Sequence, residues 1–446
     1  MSKLMISSSG LRGVVGEHLS PELISTFVRA YLAWLPEGKI VIGGDTRTSH
    51  SAISQLVSSI CQLCGRDVIY IGKVPTPTVQ QMVRHHAAAG GFAITASHNP
   101  VIWNGVKIID GSGAFLSKDS YDQFFNGYTN QKLAPLVAWD QQGVRVEDPA
   151  ALDTHVDIIS SVLPLADIQP LKVLIDVNHG AGYPADLALF KRLNVTVDYL
   201  FNGADGEFSH PPEPTKDHLT DLQAAVADGD YDIGFAQDPD ADRLVIVDEN
   251  GRFIGEDYSL AFCMDYFLSH CAEDNEDVVV NLSTSKVIEY ITNKYNANIH
   301  YTRIGEPNVT AKMKAINAII GGEGNGGVIL PKVGWGRDSL TGICLALLHL
   351  STARRSVSEI IADYPEYLMV REKQPLESRA LVDEKVARVK AFFDGEEINC
   401  EDGIKISFES SWVHLRPSNT EPIVRIFAEG PTVAVATELV DKVKSI

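Results

Sequence analysis

The segment TASHNPVIWNG, residues 95–105, sets a serine, Ser97, directly before a histidine, His98. Ser97 can be a nucleophile activated by its neighbour, a hydroxyl that carries a phosphate, or a polar residue of a turn, since Ser, Asn and Pro are also what surface turns use. In FAQDPDADRLVIVDENG, Asp238, Asp240 and Asp242 alternate along the chain. Three carboxylates at that spacing repel one another unless a cation neutralises them, and oxygen-only ligands favour Mg²⁺ or Ca²⁺ over zinc. Counting from Asp238, the twelfth position is Glu249, as in an EF-hand loop, but the sixth is Arg243 where that loop needs glycine. Strands rather than helices are also expected on either side, so an EF-hand is rejected. A solvated acidic turn without metal stays open. Arg243, directly after the carboxylates, can hold a phosphate beside a metal.

Near the C-terminus, LRPSNTEPIVRIF offers Arg416, Ser418, Asn419 and Thr420, with Arg425 on the following strand. A guanidinium fork, two hydroxyls, an amide and turn N–H groups suit a phosphate dianion; the alternative is an ordinary Pro-bounded turn. GGEGNGGVILP, residues 321–331, has Glu323 and Asn325 as its polar side chains. It lacks the GKS/T of a P-loop, and it has no GxGxxG in the strand–helix context that a dinucleotide fold requires. A carboxylate and an amide instead match sugar hydroxyls, and glycines let a ring approach the backbone closely. Two further cations are Arg12, set between glycines in SSSGLRGVVG, and Lys107, ten residues after Ser97. Each can face the Ser97 loop or simply be solvated.

These loops need a scaffold, and the pattern around them is α/β. KIVIGG (39–44), DVIYIG (67–72) and GGFAITA (90–96) read as strands separated by helical segments. The rhythm restarts with LKVLIDV, VTVDYL, YDIGFA and RLVIVD, and again with DVVVNL, NIHYTRI and AIIGGE. We expect αβ units over 1–148, 149–253 and 254–367, followed by a compact α+β domain over 368–446. The first three share a rhythm rather than alignable residues, which suggests a structural repeat.

At 446 residues the chain exceeds one compact core, so two to four domains are expected. Its 45% hydrophobic and 22% charged residues are ordinary globular usage. A formal net charge of −20 argues against nucleic-acid or anionic-membrane partners while leaving room for a local phosphate pocket. The N-terminus lacks the apolar run of a signal peptide and no run of ~18 apolar residues occurs, so a cytoplasmic location is expected. Cys61 and Cys64 form one CxxC without a second to complete a zinc site, and read as helix-borne, buried or half-buried thiols.

Taken in order, SGLRG, TASHNP with NGVK, DPDADR, GEGNGG and RPSNTEP resemble the α-D-phosphohexomutases across essentially the whole chain. The resemblance implies an α/β fold of three αβα-sandwich domains with mixed sheets plus the α+β domain, heart-shaped around a central cleft. It implies a Mg²⁺-dependent enzyme in which Ser97 is a phosphoserine and a hexose 1,6-bisphosphate is intermediate and activator. Asp238, Asp240, Asp242 and a Ser97 phosphate oxygen would hold the metal. Arg12, Lys107 and Arg243 would surround the moving phosphoryl group, and the Arg416 loop would grip the other phosphate. His98 is ranked as orienting the site above acting as a base, with Arg12 and Lys107 as alternative proton handlers.

Where many members carry serine and then histidine, this chain has Asn325 and Gly327, so a histidine role in that loop does not transfer. GEGNGG resembles instead the variant of the phosphoglucosamine mutases. Gly305 and Glu306 in TRIGEPNV match a sugar-contacting turn, and the Glu306 carboxylate would favour an ammonium at C2. The expected reaction is interconversion of glucosamine 6-phosphate and glucosamine 1-phosphate, with a phosphomannomutase/phosphoglucomutase as the alternative. A phosphatase with Asp238 as nucleophile and a non-catalytic sugar-phosphate binding protein are the readings from other classes. Formation of a homodimer is left open.

Overall fold

The computed structural model describes residues 4–417 and 423–446. Ser418, Asn419 and Thr420, three of the expected phosphate ligands, lie outside the described residues. The apolar runs form the central strands as expected, with Ile40–Gly44, Gly90–Ile94 and Ile233–Gln237 buried along their whole length. Burial on both faces is what continuous apolar strands of parallel sheets need.

The suspected repeat is visible in the topology. In the first unit, Ile40–Gly44 lies between Val68–Lys73 and Gly90–Ile94, parallel to both, and Trp103–Asp110 returns antiparallel beside Gly90–Ile94. In the second, Lys172–Asp176 lies between Thr196–Leu200 and Ile233–Gln237, with Leu244–Asp248 antiparallel at the edge. In the third, Asp277–Asn281 lies between Asn298–Thr302 and Ile320–Glu323, with Gly327–Ile329 antiparallel. Numbering four strands in chain order within each unit, all three sheets read 4-3-1-2. The first sheet is extended by Met5–Ser7 and Gly10–Val14 at one edge and Arg145–Glu147 at the other. Each of the three expected site loops is therefore the connection from a third strand to its antiparallel fourth.

The C-terminal sheet is antiparallel and five-stranded, with Leu368–Pro375 and Glu397–Asn399 at its edges. Helices Arg379–Phe392 and Val433–Ser445 bury Val382, Val389, Ala436 and Val440 against it. The largest hydrophobic core joins the second and third units and contains helices Glu256–Cys271 and Ser339–Ala353. Their interior stretches are buried nearly all round, as expected of helices apolar on every face.

Polar ties lock the units together. The imidazole of His155, from the second unit, meets Thr78 Oγ1 of the first at 2.9 Å and Asp338 Oδ2 of the third at 3.2 Å, all three buried. His414, in the C-terminal sheet, meets Ser283 Oγ of the third unit at 2.9 Å and donates from Nε2 to the Asp402 carbonyl.

Burial lowers the pKa of His414 to about 4, and burial with nearby Lys73 does the same to His50. In unfolded chain both take up protons near pH 6.5, so between pH 6.5 and 4 the unfolded state binds more protons than the native one and stability rises with pH. The contribution is full above pH 6.5 and is lost as pH falls toward 4. Thermal unfolding followed from pH 7.5 to 4.5 should show a falling midpoint, and a His50→Asn/His414→Asn protein should show a shallower fall; an unchanged slope would remove these histidines as its cause.

Candidate active site

The Ser97 loop connects Gly90–Ile94 to Trp103–Asp110. Ser97 has φ of +50°, a left-handed conformation that costs a non-glycine residue energy and persists only when its surroundings enforce it. The enforcing group is Arg47. From the end of the neighbouring strand, its Nη2 donates to the carbonyls of Ser97 and Asn99, both at 2.6 Å, and its Nη1 to those of Pro100 and Trp103, both at 2.8 Å. Arg47 Nε is paired with Asp45 at 3.0 Å, and Asp45 also accepts from Thr95 Oγ1, which in turn accepts from the Ser97 N–H. Four carbonyls of one turn are thus tied to a single buried guanidinium.

Ser97 Oγ donates to Asp238 Oδ2 at 3.0 Å. The three alternate aspartates converge, with one ligand atom from each lying within 4.8 Å of the others. Asp240 Oδ2 accepts from Thr76 Oγ1 and from Lys107 Nζ, each at 2.6 Å. Asp242 Oδ2 accepts from Arg337 Nη2 at 2.8 Å and lies 3.3 Å from Lys107 Nζ. Asp238 Oδ1 accepts the backbone N–H groups of Asp242 and Arg243, both at 3.1 Å. Asp240 Oδ1 and Asp242 Oδ1 are buried and have no hydrogen-bond partner among the described residues. Orphaned carboxylate oxygens are costly in a protein interior, and two of them beside a third carboxylate fit the oxygen donor set of a divalent cation.

The electrostatics follow from this crowding. Burial, then the charges of Asp242 and Asp240, push Asp238 well above the ordinary carboxyl range. Burial acts on Asp240 in the same direction, but the Lys107 ammonium and Thr76 outweigh it and hold its pKa down. Lys107 is shifted up, because the two aspartates overcome its own desolvation. His98 is pushed down to about 2 by burial and by Arg243 and Arg12. Its Nδ1 accepts from Arg243 Nη2 at 2.9 Å and lies 3.3 Å from Ser97 Oγ, which suits a neutral, orienting ring. Arg12 is brought to the same place by strand pairing: Gly10–Val14 runs antiparallel to Trp103–Asp110 with Arg12 opposite Gly105, and Arg12 feels the fields of Asp240 and Asp242.

Beside this cluster is a cavity of about 290 Å³, lined from three sides by Arg243 and Glu213, by Glu323, Gly324 and Asn325, and by Arg371, Arg416 and Arg425. Arg416 and Arg425 are direct cross-strand partners, and Lys373 is the partner of Arg425 on its other side. Like charges placed opposite one another repel. Among the described residues Asp402 offsets this row, pairing with Arg416 at 2.9 Å.

Glu323 is locked in place, accepting from Asn281 Nδ2 and the Gly305 N–H on Oε1 and from Arg337 Nη1 on Oε2. Asn325 lines the cavity with its Oδ1 lacking a partner among the described residues. Glu306 departs from expectation. It is buried at the start of helix Glu306–Ile316, takes Arg337 Nε at 2.9 Å and Gln80 Nε2 at 3.3 Å, and does not line the cavity. Glu306 and Glu323 are both committed to Arg337, and of the two it is Glu323 that lines the cavity, beside Asn325.

Four family models account for most of the chain: phosphoglucomutase/phosphomannomutase alpha/beta/alpha domain I over residues 3–134, domain II over 153–251, domain III over 255–367 and the C-terminal domain over 370–446. A probable phosphoglucosamine mutase of Methanopyrus kandleri is 33% identical over 98% of this chain and 96% of its own. A phosphoglucomutase/phosphomannomutase of Thermococcus kodakarensis is 32% identical over 99% of this chain and 97% of its own. The chain belongs to the phosphoglucomutase/phosphomannomutase family, the α-D-phosphohexomutases. A solved family protein of Burkholderia thailandensis, 24% identical, shares the fold with a TM-score of 0.85 over 98% of this chain and 96% of that one.

This phosphohexomutase, an isomerase by family, also uses residues that its motifs do not announce. Arg47, Thr76, Asn281, Arg337 and Arg371 reach the site from segments without a chemical signature. For Arg47 the nearest signal is GGDTRTS, where an Asp–x–Arg follows a buried strand. Arg47→Met would leave Asp45 as a buried, unpaired charge and release four carbonyls, so we expect a loss of about 3–5 kcal/mol. Denaturant unfolding should register that loss, and activity should fall steeply in whatever fraction stays folded. A Met variant with wild-type stability would show that the Ser97 turn holds itself.

Proposed function

We propose that this phosphohexomutase interconverts glucosamine 6-phosphate and glucosamine 1-phosphate, with Ser97 as the phosphoryl carrier. The observation that carries the reading is the hydroxyl of Ser97 held 3.0 Å from Asp238 within the three-aspartate cluster, next to a cavity whose other side is a row of arginines. One end of that arrangement suits a reacting phosphoryl group and the other a phosphate held at rest. The hexosamine assignment is supported by the GEGNGG loop and by relatives such as the M. kandleri protein. The T. kodakarensis relative, a phosphoglucomutase/phosphomannomutase, favours glucose and mannose phosphates as the second reading.

In the first half-reaction the bond between phosphorus and the Ser97 oxygen breaks as the sugar hydroxyl oxygen bonds to phosphorus, and the hydroxyl's proton ends on Ser97. The second half runs in reverse from the other end of the 1,6-bisphosphate, so Ser97 is phosphorylated again and no proton is gained or lost overall. Asp238, Asp240 and Asp242, with a phosphate oxygen on Ser97, would hold Mg²⁺. The ion would neutralise charge on the transferring oxygens. Arg12, Lys107 and Arg243 supply fixed positive charge around the group, and His98 keeps Arg243 oriented. Arg416 and Arg425, with Ser418, Asn419 and Thr420, would bind the phosphate that is not reacting. A dianion looks alike from either end of the bisphosphate, so one grip serves both orientations.

Ser97→Ala should reduce turnover to background while hexose phosphate still binds by calorimetry; mutase activity in that variant would remove Ser97 from the mechanism. Chelation of divalent metal should stop the wild-type enzyme, with folding checked separately by circular dichroism. A panel of glucosamine, glucose and mannose phosphates, primed with the matching 1,6-bisphosphate, should give the highest kcat/KM with glucosamine phosphate. Preference for glucose or mannose phosphate would establish the second reading.

A further inference from the structure

Arg337, in GWGRDS, belongs to none of the site motifs, yet each of its three guanidinium nitrogens is paired with a different carboxylate. Nη2 meets Asp242 in the aspartate loop at 2.8 Å, Nη1 meets Glu323 in the sugar loop at 3.1 Å, and Nε meets Glu306 at the start of its helix at 2.9 Å. The side chain is buried. A planar fork is the one side chain that can hold three acceptors in fixed mutual geometry; an ammonium is a point charge on a flexible stem.

The fork is held from behind. Asp338, the next residue, caps helix Ser339–Ala353 and accepts from His155 and Thr341, which fixes the backbone that carries Arg337. Gln80 donates to Glu306, and one turn earlier on the same helix Thr76 donates to Asp240. The hydrogen bonds therefore close a ring: Asp240 to Thr76, along helix Thr76–His85 to Gln80, to Glu306, through Arg337, and back to Asp242. Space for the fork depends on Gly327. A Cβ there would stand 2.1 Å from Arg337 Cδ, far inside van der Waals contact.

We propose that Arg337 is a positioning residue that couples the aspartate cluster to the sugar loop. It holds the Asp242 and Glu323 carboxylates in one frame, so that occupation of the aspartate cluster by a divalent cation and binding of hexose phosphate reinforce each other. Asp242 has one oxygen committed to Arg337 and Lys107 and the other buried without a hydrogen-bond partner among the described residues, 3.9 Å from Arg243 Nε. Anchoring the first oxygen fixes where the second points, and Glu323 is oriented by the same guanidinium. Coupling of this kind is reciprocal and commonly amounts to about 5–150-fold in affinity. The inference rests on the mutase reading of the site.

The test measures calorimetric affinity for glucosamine 6-phosphate, and for glucose 6-phosphate, with and without Mg²⁺ in the non-turnover Ser97→Ala protein. We expect Mg²⁺ to tighten binding by at least about fivefold, and that ratio to approach one in Ser97→Ala/Arg337→Met. Equal ratios in the two proteins, or a ratio of one in the parent, would overturn the proposal. Arg337→Lys keeps the charge without the fork, so it should lose coupling as Met does; full rescue by lysine would reduce the role to charge alone and overturn the geometric claim. Should the Arg337 variants fail to fold, Gly327→Ala displaces the same side chain while retaining it, and wild-type coupling in that protein would equally sink the idea. An active wild-type enzyme with unaltered Arg337 variants counts against this inference only, whereas a wild type inactive on every hexose phosphate counts against the mutase reading.

Discussion

Three carboxylates on a single short loop, all buried, are the constraint on which the rest of this structure depends. An isolated buried ion costs several kcal/mol even after relaxation, and the second unit answers its own three in part, with Arg243 3.9 Å from Asp242 and the N–H groups of Asp242 and Arg243 on Asp238. Further donors come from outside: Thr76, Ser97 and Lys107 from the first unit, Arg337 from the third. Packing three units around the loop and assembling the site are therefore one process. The buried Thr78–His155–Asp338 tie acts at the same junction, adjoining the helix that presents Thr76 and the segment that presents Arg337.

The repeat explains why those donors converge. In each unit a third strand, parallel to its inner neighbour, ends in a loop and returns antiparallel as the fourth. Loops at the carboxyl ends of the parallel strands are where α/β sheets place ligands. One position in the fold was thus given three chemistries: a hydroxyl in TASHNP, carboxylates in DPDADR, a cavity-lining carboxylate and amide in GEGNGG. The fourth expected loop joins two antiparallel strands of a different sheet, and their pairing sets Arg416 beside Arg425.

Central strands and clustered loops were legible from residue pattern because both are local. Continuous β-branched runs mark doubly buried strands, and alternating aspartates mark a charge that must be answered. Strands such as Leu368–Pro375 were not legible, because in this edge strand a short apolar start, Leu368 to Val370, gives way to the consecutive charges Arg371, Glu372 and Lys373. The Arg47 clamp and the Arg337 fork were invisible for a different reason. Arg47 gathers carbonyls 50 to 56 residues away and Arg337 takes carboxylates 14, 31 and 95 residues away, and no spacing rule connects them. Glu306 shows the same from the other side: its local context matches a sugar-contacting turn, and the arginine it pairs with stands 31 residues away.

The charge of the whole chain, −20, is unfavourable for an anionic ligand, yet the site is built to take one. At physiological ionic strength fields decay over about 8 Å, so what an approaching phosphate meets is local. On the C-terminal side it meets Lys373, Arg425 and Arg416 in register across three strands, with Asp402 offsetting Arg416. On the other side, behind Arg243, the three aspartates are interleaved with Lys107 and Arg337. The arginine row is thus the wall on which cations stand side by side, whereas at the aspartate cluster carboxylates and cations alternate.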